Sequence, residues 1–336
     1  MTTMGDVARL AGVSASTVSH VLNGTRKVDA ATRQRVEAAI VETGYRRNVA
    51  ARALAGGRTH TVGLSISALT NPYFGNLVHA VERALSDAGY VLIVGDSHDE
   101  VESERRVTDS LLDRQVDGMI VAPAPGSEAV NLPAIARSRT PLVLIDRSAD
   151  LDCDQVGPEN VASARMLTGH LLDLGHRRIA VVRGIAGISS TRERFDGYVA
   201  ALADRGLAVD RALIVDGESN TDVAEREVRA LLARDDRLTA LVSMNNAMTI
   251  GALKAVTGLG LSIPGDVAFA CYDDFEWADS FEPKLTAAAQ DVTTIGATAA
   301  ALLLRRIAGH DDPLQRIHVP TAFHHRNSCG CTVARS

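Results

Sequence analysis

The stretch "VSASTVSHVLNG", Val13 to Gly24, decides how the front of this chain folds, because its apolar and polar residues sort onto two sides of one short helix. Val18, Val21 and Leu22 recur at i, i+3 and i+4 and face inward, which leaves only Ala, Ser, Thr and His to face outward. Upstream, Thr3 and Asp6 have the spacing of a helix cap, and the helix they open carries an apolar face of Val7, Leu10 and Ala11. Gly12 ends it, since glycine accepts the left-handed conformation of a tight turn. Ser14 then caps the second helix and Asn23-Gly24 stops it. A third helix is predicted from Asp29 to Gly44, with Val36 and Ile40 closing a small core.

Two short helices joined by a three-residue turn containing glycine form a helix-turn-helix, whose second helix fits the major groove of DNA. The outward face of 13–24 then makes sense. Ala15, Ser16 and His20 let the backbone come close, and Ser16 and His20 can hydrogen-bond to base edges. Thr17 and Ser19 suit phosphate oxygens, which set register without reading sequence. The charge agrees. Residues 1–60 hold nine Arg and Lys against four acids, a net of +5, while the remaining 26 basic and 37 acidic residues carry −11. A basic head on an acidic body points to a polyanion partner for the head alone. After Tyr45, Asn48 caps a helix of barely two turns, Val49 to Ala55, ended by Gly56-Gly57. Alone in water so short a helix is marginal. Packed against a second copy on DNA it could form, with Leu54 as an apolar wedge for a minor-groove step.

At 336 residues the chain is too long for one compact core. With 46% hydrophobic and 4% aromatic residues it has the composition of a soluble α/β protein. No apolar run approaches a bilayer span and no signal-peptide pattern precedes Asp6, so no membrane partner is expected. Cys153, Cys271, Cys329 and Cys331 make no disulfide framework, so the cytoplasm is the expected compartment.

From Thr61 short apolar runs alternate with amphipathic helices. "TVGLSIS", "VLIVGD", "GMIVAP" and "PLVLIDR" read as buried parallel strands, and "FGNLVHAVERALSDAGY" and "ESERRVTDSLLDRQ" as helices between them. The pattern restarts at "RIAVVRG" and runs through a helix near 192–205 to "ALIVDGE", "ALVSMNN" and "VAFACYDD". The expected fold class is therefore α/β: an all-α helix-turn-helix head (1–47), a hinge helix or linker (48–58), and two doubly wound lobes facing one cleft (59–336). Lobe 1 is placed at about 59–160 plus 291–325 and lobe 2 at about 161–290.

Ligands of such sheets bind beyond the carboxyl ends of the strands. The polar and aromatic residues there are Asn71, Tyr73, Phe74, Asp146 and Arg147 in the first lobe. The second offers Ser190, Arg192, Arg194, Asn245 and Asp273, with Gln290 near the crossing back. Charged acceptors, charged donors and an amide suit the paired hydroxyls of a sugar, and aromatic faces cover its C–H surface.

These residues also carry a family resemblance. "DVARLAGVSASTVSHVLNGTRKVDAATRQRVEAAIVETGYRRNVAARAL" resembles the DNA-binding head of the lac-repressor family of bacterial transcription regulators, and "SHVLNGTR" looks closer to the purine-repressor branch. The resemblance implies an operator DNA partner, a homodimer, base contacts from Ser16, His20 and Arg26, and Leu54 as the wedge. Ala55 departs from a basic residue of that branch. The full candidate DNA-contacting set is Ser14, Ala15, Ser16, Thr17, Ser19, His20, Asn23, Thr25 and Arg26, with Asn48, Leu54 and Ala55 in the hinge.

The body resembles periplasmic sugar-binding proteins of the ribose type through "NPYF", "IDR", "GIAGISSTRER", "MNNAM", "CYDD" and "AAQ". That implies a monosaccharide whose ring meets Asn71, Tyr73 and Phe74, and whose hydroxyls bond Asp146, Arg147, Arg194, Asn245, Asp273 and Gln290. Ser219 stands near the place where relatives put an aromatic. Ile188 stands about where the purine branch has a ligand-binding Arg, so a sugar is preferred to a purine or nucleoside.

"FHHRNSCGC" gathers His324, His325, Cys329 and Cys331 within eight residues. Adjacent residues on a strand point to opposite faces and Cys-x-Cys lacks zinc-knuckle spacing, so no metal site is expected. No cofactor is expected either. An enzyme is disfavoured because "SALTNPYF" after the first strand has no phosphate-binding loop, and a transport protein because of the basic head.

Overall fold

A computed structural model describes residues 2–23, 26–45, 58–69, 71–234 and 238–331, with Asn23 described by its backbone alone. The chain divides into two compact units, residues 1–59 and 60–336.

The first unit holds α1 (Met4–Ala11), α2 (Ala15–Asn23) and α3 (Ala30–Thr43). Thr3 and Asp6 form the capping box, and Gly12 (φ 64°) and Gly44 (φ 62°) end their helices in the left-handed conformation. The Ser14 hydroxyl accepts from the Thr17 amide at 3.1 Å and so starts α2. Asp29 caps α3 through the Thr32 amide at 2.9 Å. Val7, Ala8, Ala11, Val18, Val21, Val36 and Ala39 make the core, with Leu22 and Ile40 packed at its margin. Leu10, expected inside, is 48% exposed. At about 100° per residue, Val7, Ala8 and Ala11 share one arc while Leu10 falls outside it. Here Ala8 fills the place expected of the leucine.

The second unit contains two six-stranded sheets, each with helices on both faces. In the first, β1 (Thr61–Ile66), β2 (Val91–Asp96), β3 (Gly118–Val121), β4 (Leu142–Ile145) and β5 (Asp154–Pro158) run parallel. A late strand, β11 (Arg316–Val319), joins them, giving the order β11-β5-β4-β3-β1-β2. The second sheet comprises β6 (Ile179–Arg183), β7 (Ile214–Asp216), β8 (Ala240–Ser243), β9 (Ala268–Tyr272), β10 (Thr286–Gln290) and β12 (Thr321–His324), in the order β12-β10-β9-β8-β6-β7. Among the described strands of this sheet only β12 is antiparallel to its neighbour. Near-continuous Val, Ile, Leu and Ala runs suit strands buried on both faces, and the burial of β3, β4, β8 and β9 is complete along their length.

Lobe 1 takes α4 (Pro72–Asp87), α5 (Val101–Asp113) and α6 (Asn131–Arg137) from its own half. It also takes α11 (Val292–Ile307), whose Ile295, Ala299 and Leu303 are in its core. Lobe 2 takes α7 (Val161–Asp173), α8 (Ser189–Ala203), α9 (Thr221–Leu232) and α10 (Asn246–Gly258). The chain thus crosses between lobes after β5, after β10 and between β11 and β12. The last crossing corrects the expected boundary. The sequence places residues 321–325 in lobe 1, but β12 pairs with β10 of lobe 2. A four-residue strand two residues after another has no sequence signal for which sheet it joins.

Candidate effector cleft and DNA-facing helix

The cleft lies beyond the carboxyl ends of the strands, and its geometry begins with backbone conformation. Ala68 after β1, Asp99 after β2, Asp146 after β4, Ser219 after β7 and Asp273 after β9 all have positive φ, between 51° and 76°. All five line one cavity. Left-handed non-glycine residues are uncommon, and such strain gathers where side chains are re-aimed for a task. Here each strand turns sharply at its end and delivers a side chain into the gap.

From lobe 1, Tyr73 and Phe74 enter on the first turn of α4, which Asn71 caps by accepting from the Tyr73 amide at 3.0 Å. The Tyr73 hydroxyl donates to Asp146 Oδ1 at 2.6 Å. Burial first, and then Asp146, holds that phenol well above its ordinary pKa, so it remains a donor. Arg147 is buried in a cage, donating to Asp99 at 2.5 Å, to the Pro123 carbonyl at 3.0 Å and to Ser67 at 3.1 Å, with its guanidinium over Phe74.

From lobe 2, Arg194 donates to Asn160 Oδ1 at 2.8 Å and to the Met244 carbonyl at 2.7 Å, and its guanidinium lies 3.7 Å from the Tyr272 ring centre. Asp273 accepts from the Asn246 amide at 3.0 Å and from Gln290 Nε2 at 2.5 Å. Burial pushes its carboxyl above the ordinary value, against the pull of Arg194 and of those two bonds. Asn245 caps α10 through the Met248 amide. The two lobes meet where Asn246 Nδ2 donates to Asn71 Oδ1 at 2.6 Å.

Tyr73, Phe74, Asp146, Arg147, Ser190, Arg194, Ser219, Asn245, Asp273 and Gln290 line the cavity together, as their strand-end positions predict. Two candidates do not. Asn71 is occupied in capping α4 and bridging to Asn246, and it is not part of the wall. Arg192 is exposed on α8, on the side away from the cavity. It lies two residues before the buried Arg194, and two residues on a helix face different directions. The cavity encloses about 60 Å³. Space for roughly five waters is implied at about 10–15 Å³ each, so anything larger than one small ring requires the lobes to part. The buried Gln290 Oε1 and Asn246 Oδ1 have no hydrogen-bond partner among the described residues. Buried acceptors left unpaired are costly, and an incoming donor would satisfy Gln290 at the cavity wall.

Sequence reasoning missed Asp99, Thr191, Met244 and Met248, which line the wall as well. It also missed Glu104, a fully buried carboxylate on α5. Glu104 accepts from the Ala124 amide at 2.6 Å, from Asn131 at 2.8 Å and from Ser127, fixing the loop whose Pro123 carbonyl receives Arg147. Its surroundings in sequence, "ESERR", read as solvated helix. Glu104→Ala would strand three buried donors at about 1–3 kcal/mol each and lower the unfolding temperature markedly in a calorimetric scan. An unchanged melting temperature would show that the loop does not depend on that carboxylate.

In the head, Ser14, Ala15, Ser16 and Arg26 are exposed, and Thr17, Ser19 and His20 are half-buried. Ser14 bonds the hydroxyls of Ser16 at 2.7 Å and Thr17 at 2.9 Å. The Asn23 side chain, Thr25, Asn48, Leu54 and Ala55 lie outside the described residues, and the hinge reading with them.

Comparison with known proteins agrees with both halves. Residues 3–48 match the family model described as bacterial regulatory proteins, lacI family, and residues 168–329 match a periplasmic binding protein-like domain. The ribose operon repressor of Escherichia coli (strain K12) is 34% identical over 329 residues, covering 98% of this chain and 100% of that protein. The HTH-type transcriptional repressor PurR of Photobacterium profundum is 32% identical over 309 residues, 91% of this chain and 92% of its own length. A crystal structure of the lac repressor dimer bound to operator and the anti-inducer ONPF superimposes with a TM-score of 0.87 at 27% identity, covering 98% of this chain and 99% of that one. Among the described residues no helix is long and apolar enough to cross a membrane.

Proposed function

The chain belongs to the lacI family of bacterial regulatory proteins, and on that premise we propose a homodimeric, sequence-specific repressor whose hold on operator DNA is controlled by a ribose-like monosaccharide in the cleft. One observation carries the effector reading: two carboxylates, Asp146 and Asp273, and two guanidiniums, Arg147 and Arg194, converge from both lobes on a cavity of single-ring size. Such a set can accept from and donate to adjacent hydroxyls at once, while Tyr73 and Phe74 cover an apolar ring face. Because the wall is built from both lobes, a ligand stabilises the lobes together. It shifts the balance between DNA-competent and DNA-incompetent forms by its differential affinity, typically about 1–3 kcal/mol of coupling. The chain acts in this reading by binding, not catalysis.

A purine or nucleoside effector is the second reading, favoured by the similarity to PurR and by the aromatic pair Tyr73 and Phe74. Across the cavity, however, lobe 2 offers Ile188, Thr191 and Ser219, and among the described residues no aromatic lines that side to sandwich a base. Calorimetric titration of the full chain with D-ribose, other pentoses, nucleosides and purine bases separates the two. Heat from a pentose alone is expected, together with a changed affinity for DNA from the protein's own promoter. Tight purine binding with every sugar silent would overturn the sugar reading.

A further inference from the structure

The segment "FHHRNSCGC", residues 323–331, contributes nothing to the wall of the effector cleft. The two adjacent histidines do separate, as expected: His324, the last residue of β12, turns to Asp274, at 2.5 Å, and His325, just after the strand, reaches Cys331 instead. What spacing alone could not supply is a partner from elsewhere in the chain. His170, in the last turn of α7, arrives from more than a hundred residues upstream. The ligating atoms of His170, His325, Cys329 and Cys331 all lie within 4.8 Å of one another. His325 Nε2 is 2.5 Å and Cys329 Sγ 2.7 Å from Cys331 Sγ, and His170 Nε2 is 3.8 Å from the same sulfur.

We propose that His170, His325, Cys329 and Cys331 form a tetrahedral binding site for a zinc-class divalent cation. Two imidazoles and two thiolates are a structural zinc donor set, and borderline-soft N and S ligands select against magnesium and calcium. With metal–sulfur bonds of about 2.3 Å and metal–nitrogen bonds of about 2.0 Å, a shared ion needs its ligand atoms only a few ångströms apart. The span of 4.8 Å over the four ligating atoms is of that order.

The scaffold is rigid where it needs to be. Ser328 ties the cysteine loop to the sheet: its carbonyl accepts from the Phe269 amide, its hydroxyl donates to the Phe269 carbonyl, and its amide donates to the Lys284 carbonyl. Gly330 is left-handed at φ 87°, the turn that lets Cys329 and Cys331 address one point. The His170 and His325 rings meet edge to face, 5.0 Å between centres, with Phe323 stacked against His325. Cys329 is fully buried while His325 is exposed, so the site has a closed base and an open entrance. Occupied, it would fasten the cysteine loop to α7, the helix whose N-cap residue Asn160 holds Arg194 in the cleft. Loading the site releases the two thiol protons to solvent and needs no redox partner.

The test uses the untagged full chain, purified under reducing conditions. One zinc per chain by elemental analysis is expected. Cobalt(II) added to the chelated protein should give a thiolate charge-transfer band and the intense visible bands of a tetrahedral centre. Cys331→Ser and the exposed His325→Gln should each weaken zinc binding by at least about a hundredfold. Chelation should lower the melting temperature of the parent protein and leave that of the variants unchanged. A chelated, folded chain that shows no cobalt spectrum and takes up no zinc would overturn the assignment. So would a chain that stays two hydrogens lighter under reductant, with Cys329 and Cys331 bonded to each other.

Discussion

Replacing Asp273 by asparagine should weaken binding of the proposed pentose effector by about tenfold or more, and leave operator DNA bound but unresponsive. The carboxylate is buried, and its protein partners are both donors, the Asn246 amide and Gln290 Nε2. An asparagine amide must turn its own NH₂ either against those donors or toward the ligand, so at least one charge-assisted bond is lost. Each such bond is worth about 1.5–3 kcal/mol, and two together give roughly a hundredfold to ten-thousandfold. Asparagine is the cleaner substitution because Asp273 has φ 76°, which Asn tolerates and alanine resists. Asp273→Ala is expected to lose the ligand as well, with added backbone strain.

The raised pKa of Asp273 adds a pH signature. As pH falls through that raised value the carboxyl becomes protonated and loses an acceptor, so effector affinity should fall there. The sign for stability is opposite: the buried charge disfavours the folded state above that value, and the penalty is relieved below it. Calorimetry across the acidic range, on the parent protein and Asp273→Asn, checks both. Pentose affinity that is unchanged in the variant would remove Asp273 from the effector site.

The second large effect belongs to the head. If 6–10 phosphates are neutralised, operator affinity should drop by about a thousandfold to a hundred-thousandfold between roughly 50 and 200 mM salt. His20→Ala should act differently. A base contact is worth about 1–3 kcal/mol of discrimination, so the preferred operator should lose about fivefold to 150-fold and the preference among bases at one position should flatten. The salt slope should hardly change, because His20 is assigned to a base edge and not to a phosphate. Fluorescence anisotropy on a panel of single-base operator variants reads both quantities. A His20→Ala protein that ranks the panel as the parent does would end the direct-readout assignment.

How much of this was legible in the chain follows from the range of each interaction. The helices of the head were readable to within a residue because capping is local: Thr3 with Asp6, Gly12, Ser14 with Thr17, and Asp29 with Thr32 are decided within four positions. Leu10 was misplaced because three residues suited one face, and only packing chose which arc was covered. In the body, runs of Val, Ile and Leu announced most strands, and Asp146, Arg147, Asn245 and Asp273, singled out because they follow strand ends, line the cavity. Arg192 went astray for a helical reason: near the start of α8 its neighbour Arg194 takes the inward direction.

By itself, then, the order of residues determined the local turns, the alternation of strand and helix, and the chemistry of the groups at the strand ends. These depend on neighbours a few positions away, whose geometry the backbone sets. Only the tertiary structure decided that β12 joins the second sheet, that Glu104 is a buried anchor, and that His170 comes to stand beside His325, Cys329 and Cys331. Each of those depends on which distant segment fills the space opposite, and that is set by the packing of the whole lobe.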